Sequence, residues 1–372
     1  MKTDFTSILC VADMNITDAL DKCLEEMALP EVFVQRAKQM CLIDKQGFLG
    51  FRPVTKLEEN RALIYRINVP SKYEEGVINR IVETTDLQMG GRGSIFAQPI
   101  VLHRSGDLSF DTEKLEKLSG NEGKLPHEEH VLLTCIVPRG LGDSIARAIL
   151  DQGVCVPIAF FGSGVGLRDR LGLMRITVPV EKEVLWFAVP RSDANHLEKT
   201  IIAKARLDIP ARGFLYKFIV HAPVVNLRVR YGKQVHAATM EQVITALDEV
   251  RGSSEWRRFG SRKSELFGKT KSDNNRALFF IGEEEEVEAF RRTAMENGAR
   301  GATLNELEMR SYTGRKEEQV MESHSRLLCD IVTSRAIEEK LLEKINATNL
   351  FNNGKSWVLK TFDAELSSVI RR

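Results

Sequence analysis

Three stretches of this chain share one ground plan, and that recurrence limits its possible folds more than any single motif does. Residues 185–220 run as an apolar strand ended by Pro190, then a helix with Leu197, Ile201, Ile202 and Ala205 on one face. The turn Pro210-Ala211-Arg212-Gly213 leads into a second strand rich in aromatic and β-branched residues. Residues 64–100 follow the same plan through Gly90-Gly91-Arg92-Gly93, and residues 327–363 through Asn353-Gly354-Lys355-Ser356. A strand valine (Val69, Val189, Val332) precedes a leucine (Leu87, Leu207, Leu350) by 18 residues each time, and a basic residue (Arg92, Arg212, Lys355) follows 5 later. Helical periodicity alone would not place that basic residue at one offset three times, so the chain reads as an internal repeat.

Upstream of each copy lies another strand, helix and strand. The first is marked by the stripe Leu20, Cys23, Leu24, Met27, the middle one by Ile145, Ala148, Ile149, and the third by Val287, Phe290, Ala294. Each unit therefore reads as βαββαβ, and the expected class is α+β: three tandem ferredoxin-like units forming an intramolecular pseudo-trimer. Leu185, Phe187, Phe214 and Phe218 place apolar side chains on both faces of the middle strands, so three sheets have surfaces to cover one another. The boundaries expected are 1–106, a polar linker at 107–128, 129–228, a linker at 229–274 and 275–372. The second linker carries a helix stripe of Met240, Val243, Ile244, Leu247 and Val250 behind a Thr239/Gln242 capping pair.

A length of 372 residues suits two or three domains. A net charge of +1 gives no overall field to attract nucleic acid or an acidic membrane. Six cysteines without a CxxC pair fit a reduced cytoplasm, and no apolar run of 18 residues occurs, so a cytoplasmic protein not embedded in a membrane is expected. The basic run Arg257, Arg258, Arg262, Lys263, Lys269 and Lys271 reads as a solvated linker. Gly162-Ser163-Gly164-Val165-Gly166 lacks the helix and third glycine of a dinucleotide fingerprint, and Gly354-Lys355-Ser356 lacks the earlier glycine of a Walker loop. His127-Glu128-Glu129-His130 is not the zinc motif HExxH, and no nucleophile–base pair is legible. The chain is expected to be no enzyme and to need no cofactor or metal.

The middle unit, VLLTCIVPRGLGDSIARAILDQGVCVPIAFFGSGVG together with residues 185–220, resembles the P-II nitrogen-regulatory signal-transduction family, in its divergent short-loop branch. RALFFIGEEEEVEAFRRTAMENGARGATL and YTGRKE of the third unit are similar to it, and the first unit resembles it mainly in its second half. The resemblance implies a nucleotide-binding regulator that takes ATP, ADP or AMP in clefts between units and controls a protein partner, a transporter or a nitrogen- or carbon-metabolism enzyme, through loop conformation. It also implies a monomer with internal pseudo-threefold symmetry. Carried over, the phosphate-cradling loop falls on Ala211, Arg212 and Gly213, on Gly91, Arg92 and Gly93, and on Gly354 and Lys355. The base of the signalling loop falls on Gly162, Ser163 and Gly164, and on Gly314 and Arg315. The alternatives are a scaffold without an effector and a binder of metal or small anions. Exposed amides beside an arginine suit phosphate, whereas Gly93 and Gly213 would serve equally in a turn that needs positive φ.

Overall fold

Apolar runs with both faces buried give this protein its strands, and the strands join in one sheet. The computed structural model describes residues 5–45, 54–105, 108–118, 128–166, 181–209, 212–231, 275–313, 323–347 and 356–367. The first part of the chain forms β1 (Phe5–Asp13), α1 (Thr17–Glu26), β2 (Val32–Lys45), β3 (Val54–Pro70), α2 (Glu74–Thr85) and β4 (Gly93–Arg104). After α3 (Thr112–Leu118) come β5 (Glu129–Pro138), α4 (Gly142–Leu150), β6 (Ile158–Gly166), β7 (Glu181–Pro190), α5 (Arg191–Ala205), β8 (Phe214–Val224) and the two-residue β9 (Arg230–Tyr231). The last part forms β10 (Asn275–Gly282), α6 (Glu284–Glu296), β11 (Gly301–Arg310), β12 (Ser323–Ser334), α7 (Arg335–Ala347) and β13 (Val358–Leu366).

The structure corrects the expected α+β fold of three tandem ferredoxin-like units. All thirteen described strands belong to one sheet, and ten of them close an antiparallel barrel in the order β2, β11, β6, β7, β5, β8, β13, β4, β1, β3. β10 and β12 bridge β13 to β11 alongside that ring. Closure is made by short pairings between distant parts of the chain: Val32–Val34 with Glu308–Arg310, Ser163–Gly166 with Gly301–Leu304, and Val101–Arg104 with Val358–Thr361. A separate four-stranded sheet would leave two rows of unpaired N–H and C=O groups. Pairing those rows with neighbouring strands removes them, so the barrel, and not the single repeat, is the unit that satisfies the backbone.

Alternation along the strands then separates four cores. Leu9, Val11, Leu132, Ile136, Phe218 and Phe279 point into the barrel. Ile8 and Cys10 face α1 and α2, Leu185 and Phe187 face α4 and α5, and Leu278 and Phe280 face α6 and α7. One element of the sequence reading slips by a residue. Val69 and Val189 face helices, but Val332 packs toward the barrel interior, and Thr333 pairs with Arg276 where Val69 pairs with Thr6. A shift of one residue moves a strand side chain to the other face, so the third copy keeps the spacing while losing the equivalence. The stretch 107–128, read as a linker, carries α3, whose Leu115 is buried beside α2.

The barrel interior is not wholly apolar. Arg66 of β3 donates to Gln35 Oε1 at 2.7 Å and lies 5.0 Å over the Trp186 ring. Tyr216 of β8 donates to Asp330 Oδ2 of β12 at 2.6 Å. Burial pushes the Asp330 carboxyl up to about 7, against the pull of Tyr216 and Arg66. Lys360, 3.3 Å from Ser7 Oγ, is lowered to about 7 by burial and by Arg66, against the pull of Glu31.

Candidate functional site

The turn that joins α2 to β4 is shaped by its dihedral requirements. Asp86 ends α2 in the left-handed region at φ 45°, Met89 N–H donates to Asp86 O at 3.0 Å, and Arg92 N–H donates to Met89 O at 3.1 Å. Gly91 (φ 95°) and Gly93 (φ 153°) carry the chain back into the sheet. Gly93 has a second reason to be glycine. A Cβ there would lie 1.9 Å from Val11 O, and one at Gly213 (φ 130°) would lie 2.0 Å from Ile136 O.

Against this turn lies the segment after β8. Asn226, 5% exposed, accepts from Gly91 N–H and Arg228 N–H, both at 3.0 Å, and donates to Gln39 Oε1 at 2.8 Å. Its own N–H donates to Ser94 Oγ at 2.8 Å. Arg228 donates to Gly90 O at 3.4 Å and lies 4.2 Å over the Tyr231 ring, and a Cβ at Gly91 would lie 2.5 Å from Tyr231 Oη. Burial raises the Tyr231 hydroxyl pKa, as does Cys41, with Arg228 opposing. β9 then pairs in parallel with Leu42 and Ile43 of β2. Arg230 donates to Asp44 Oδ1 at 3.0 Å and to Thr55 Oγ1 at 2.7 Å.

Between the two segments is a cleft of about 590 Å³. Arg92 and Arg228 line it together with Asp13, Asn15 and Asn60, and Asp13 N–H donates to Arg92 O at 2.7 Å. Arg92 is already engaged in part, donating to Thr85 O at 2.8 Å and Asp86 Oδ2 at 3.2 Å. Asp13 accepts from Asn15 N–H at 3.0 Å and from its side-chain amide at 2.7 Å, capping the 3-10 turn that precedes α1. The volume lies in the range of small-molecule sites, which are commonly about 300–1,000 Å³. Two guanidinium groups in the lining suit an anion, and the side-chain amides and the carboxylate there suit hydroxyl or amino groups.

Of the residues named from the sequence, Gly91 and Arg92 line this cleft and Gly93 closes the turn behind it. Gly162, Ser163 and Gly164 lie within β6, where Ser163 and Gly164 pair with Leu304 and Thr303 of β11. A Cβ on Gly162 would come within 2.7 Å of Leu304 O, so this glycine serves the close approach of two strands. Arg212 is exposed, with its N–H on Ile209 O at 3.3 Å and no ion pair among the described residues. Ala211, Gly314, Arg315, Gly354 and Lys355 lie outside the described residues, as does the helix expected near 239–250. Sequence reasoning missed Asp13, Asn226, Arg228 and Tyr231. The alternation in LRVRY, residues 227–231, was the available signal for a short strand there.

No family model matches the chain, and no curated protein matches it. Among solved structures there is a weak likeness to GlnK of B. subtilis, a PII protein, at 16% identity and a TM-score of 0.21. It covers 29% of this chain and 97% of that one. Among the described residues no group of three or more acidic, histidine or cysteine side chains is placed to hold a metal ion, and no helix is long and apolar enough to cross a membrane.

Proposed function

We propose that this protein is a regulator that takes an adenine nucleotide in the cleft between the α2–β4 turn and residues 226–231, and that occupancy alters how it engages a protein partner. The observation that carries the reading is the pair Arg92 and Arg228, which line one cavity of about 590 Å³ from positions 136 residues apart. Charge-assisted hydrogen bonds from two guanidinium groups are among the stronger anion contacts open to a protein. A route from the cleft to the surface is built in. Arg228 and Tyr231 line it, and Arg230 between them grips Asp44 and Thr55 at the ends of β2 and β3. A ligand that shifts residues 228–231 would therefore act on the end of the β2–β3 pairing where Asp44 lies opposite Thr55.

Titration calorimetry of the full chain with ATP, ADP and AMP tests the reading. Loss of one hydrogen bond from a charged group costs about 1.5–3 kcal/mol, so Arg92→Ala and Arg228→Ala should each weaken binding by about tenfold to a hundredfold. Arg212→Ala in the same titration reports whether the middle turn offers a second seat. Absence of binding by wild type below millimolar nucleotide overturns the proposal and leaves a scaffold without an effector.

A further inference from the structure

We propose that Lys360, Arg66, Asn68 and Ser7 form a seat for one small inorganic anion of halide size inside the barrel; this stands apart from the cleft and does not depend on the nucleotide reading. Alternation along the strands puts the four side chains on the interior face. Ser7 shares that face with Phe5 and Leu9 on β1, Arg66 and Asn68 continue the face of Ile64 on β3, and Lys360 lies between Val358 and Phe362 on β13. Ser7 is directly opposite Asn68 in the β1–β3 pairing, and Lys360 Nζ donates to Ser7 Oγ at 3.3 Å. Arg66, Asn68 and Lys360 are 1%, 3% and 2% exposed.

The donors gathered there outnumber their acceptors. Arg66 Nη2 donates to Gln35, while Nε and Nη1 have no hydrogen-bond partner among the described residues. The Asn68 side-chain amide has none either, at nitrogen or at oxygen. Lys360 spends one of its three N–H donors on Ser7. Charge is as poorly balanced, since neither Arg66 nor Lys360 makes an ion pair among the described residues. The carboxylates that act on them are engaged elsewhere: Asp330 accepts from Tyr216 at 2.6 Å, and Glu31 lies 3.6 Å from Arg104. Burial raises both carboxyls, Asp330 to about 7 against Tyr216 and Arg66, and Glu31 against Arg104, Lys360 and Arg326. An ordered water would satisfy the amide and the hydroxyl but leave two desolvated cations without counter-charge, and an unpaired buried charge is the costlier of the two. A monovalent ion between Lys360 and Arg66 supplies that charge. It is small because its uncharged donors, Ser7 and Asn68, are directly opposite, where Cβ atoms stand only about 4.5–5.5 Å apart.

Bromide is the probe, because it belongs to the class and its position is read by anomalous scattering. The full chain is unfolded in urea near pH 6, where Lys360 carries its proton, at one ionic strength with bromide replacing gluconate. Uptake of one ion by the folded chain should lower the unfolding constant about tenfold for each tenfold rise in bromide above its Kd, and the response of Lys360→Met should stay below about twofold. No response in wild type, or an equal response in Lys360→Met, overturns the seat. Crystals of wild type grown in bromide decide the matter even where Lys360→Met does not fold. An anomalous peak within hydrogen-bond reach of Lys360 Nζ and Asn68 Nδ2 is the expected result. An ordered water at that place, or bromide at the surface only, overturns the proposal.

Discussion

Single residues in this protein answer to the strand beside them more than to their own neighbours in sequence. Gly93 and Gly213 look like turn glycines, and both have positive φ, yet the sharper constraint is the carbonyl of Val11 or Ile136 at the place a Cβ would fill. Gly213→Val should destabilise the protein by at least about 2 kcal/mol, combining backbone strain and overpacking, as read from urea unfolding. Stability close to wild type would mean the strands can part there at little cost. The buried charges of the barrel give a pH signature. The folded protein holds the Asp330 proton more tightly than the unfolded chain does, so this group's contribution falls as pH rises from about 4 to about 7. Lys360 gives up its proton more readily when folded, so its contribution rises from about pH 7 toward its ordinary value near 10.5. Together they place a shallow minimum near neutrality. Asp330→Asn should flatten the acid limb and Lys360→Met the alkaline limb, in denaturation curves collected across that range.

Elements far apart in the chain are tied by a few partly buried clasps. Arg310, at the end of β11, donates to both carboxylate oxygens of Asp21 on α1, at 3.1 and 3.0 Å, and Tyr312 Oη donates to the same carboxylate at 2.7 Å. Tyr312 N–H also donates to Leu29 O at 3.0 Å, so the exit of β11 is held by side chains to α1 and by backbone to the connection between α1 and β2. Asp21→Ala strands two donors and should cost about 2–3 kcal/mol. Glu26→Ala, which breaks the exposed pair with Arg80, should cost no more than about 0.5 kcal/mol. Chemical denaturation of both variants checks the contrast, and equal losses would refute it. None of these clasps shows in the sequence, because an aspartate on a helix and an arginine in a strand 289 residues later carry no local mark of each other. The segment 226–231 was hidden for the same reason: Asn226 has ordinary neighbours, and its partners Gln39, Gly91 and Ser94 come from elsewhere.

At the scale of the molecule, the last part of the chain is joined to the rest through strand pairings, since β11 pairs with β2 and β6 and β13 pairs with β4 and β8. If the chain is cut at a protease site placed between residues 231 and 275, the carboxyl-terminal fragment should stay bound, and the two pieces should coelute on size exclusion at the mass of one chain. Separation of the fragments would show that the barrel is held closed by the covalent link. By itself the sequence determined the order of the strands and helices other than α3 and β9, the faces that Leu185, Phe187, Phe214 and Phe218 bury, and the glycine turn that carries Arg92. These are local matters of period, propensity and turn chemistry, which a short window records. Only the tertiary structure decided that the sheets merge into one barrel, that Val332 sits a residue out of step, and that Arg228 and Arg92 line one cleft. Edge pairing, strand register and cleft formation depend on which backbone groups lack partners once the strands exist, and that is a property of the assembled sheet.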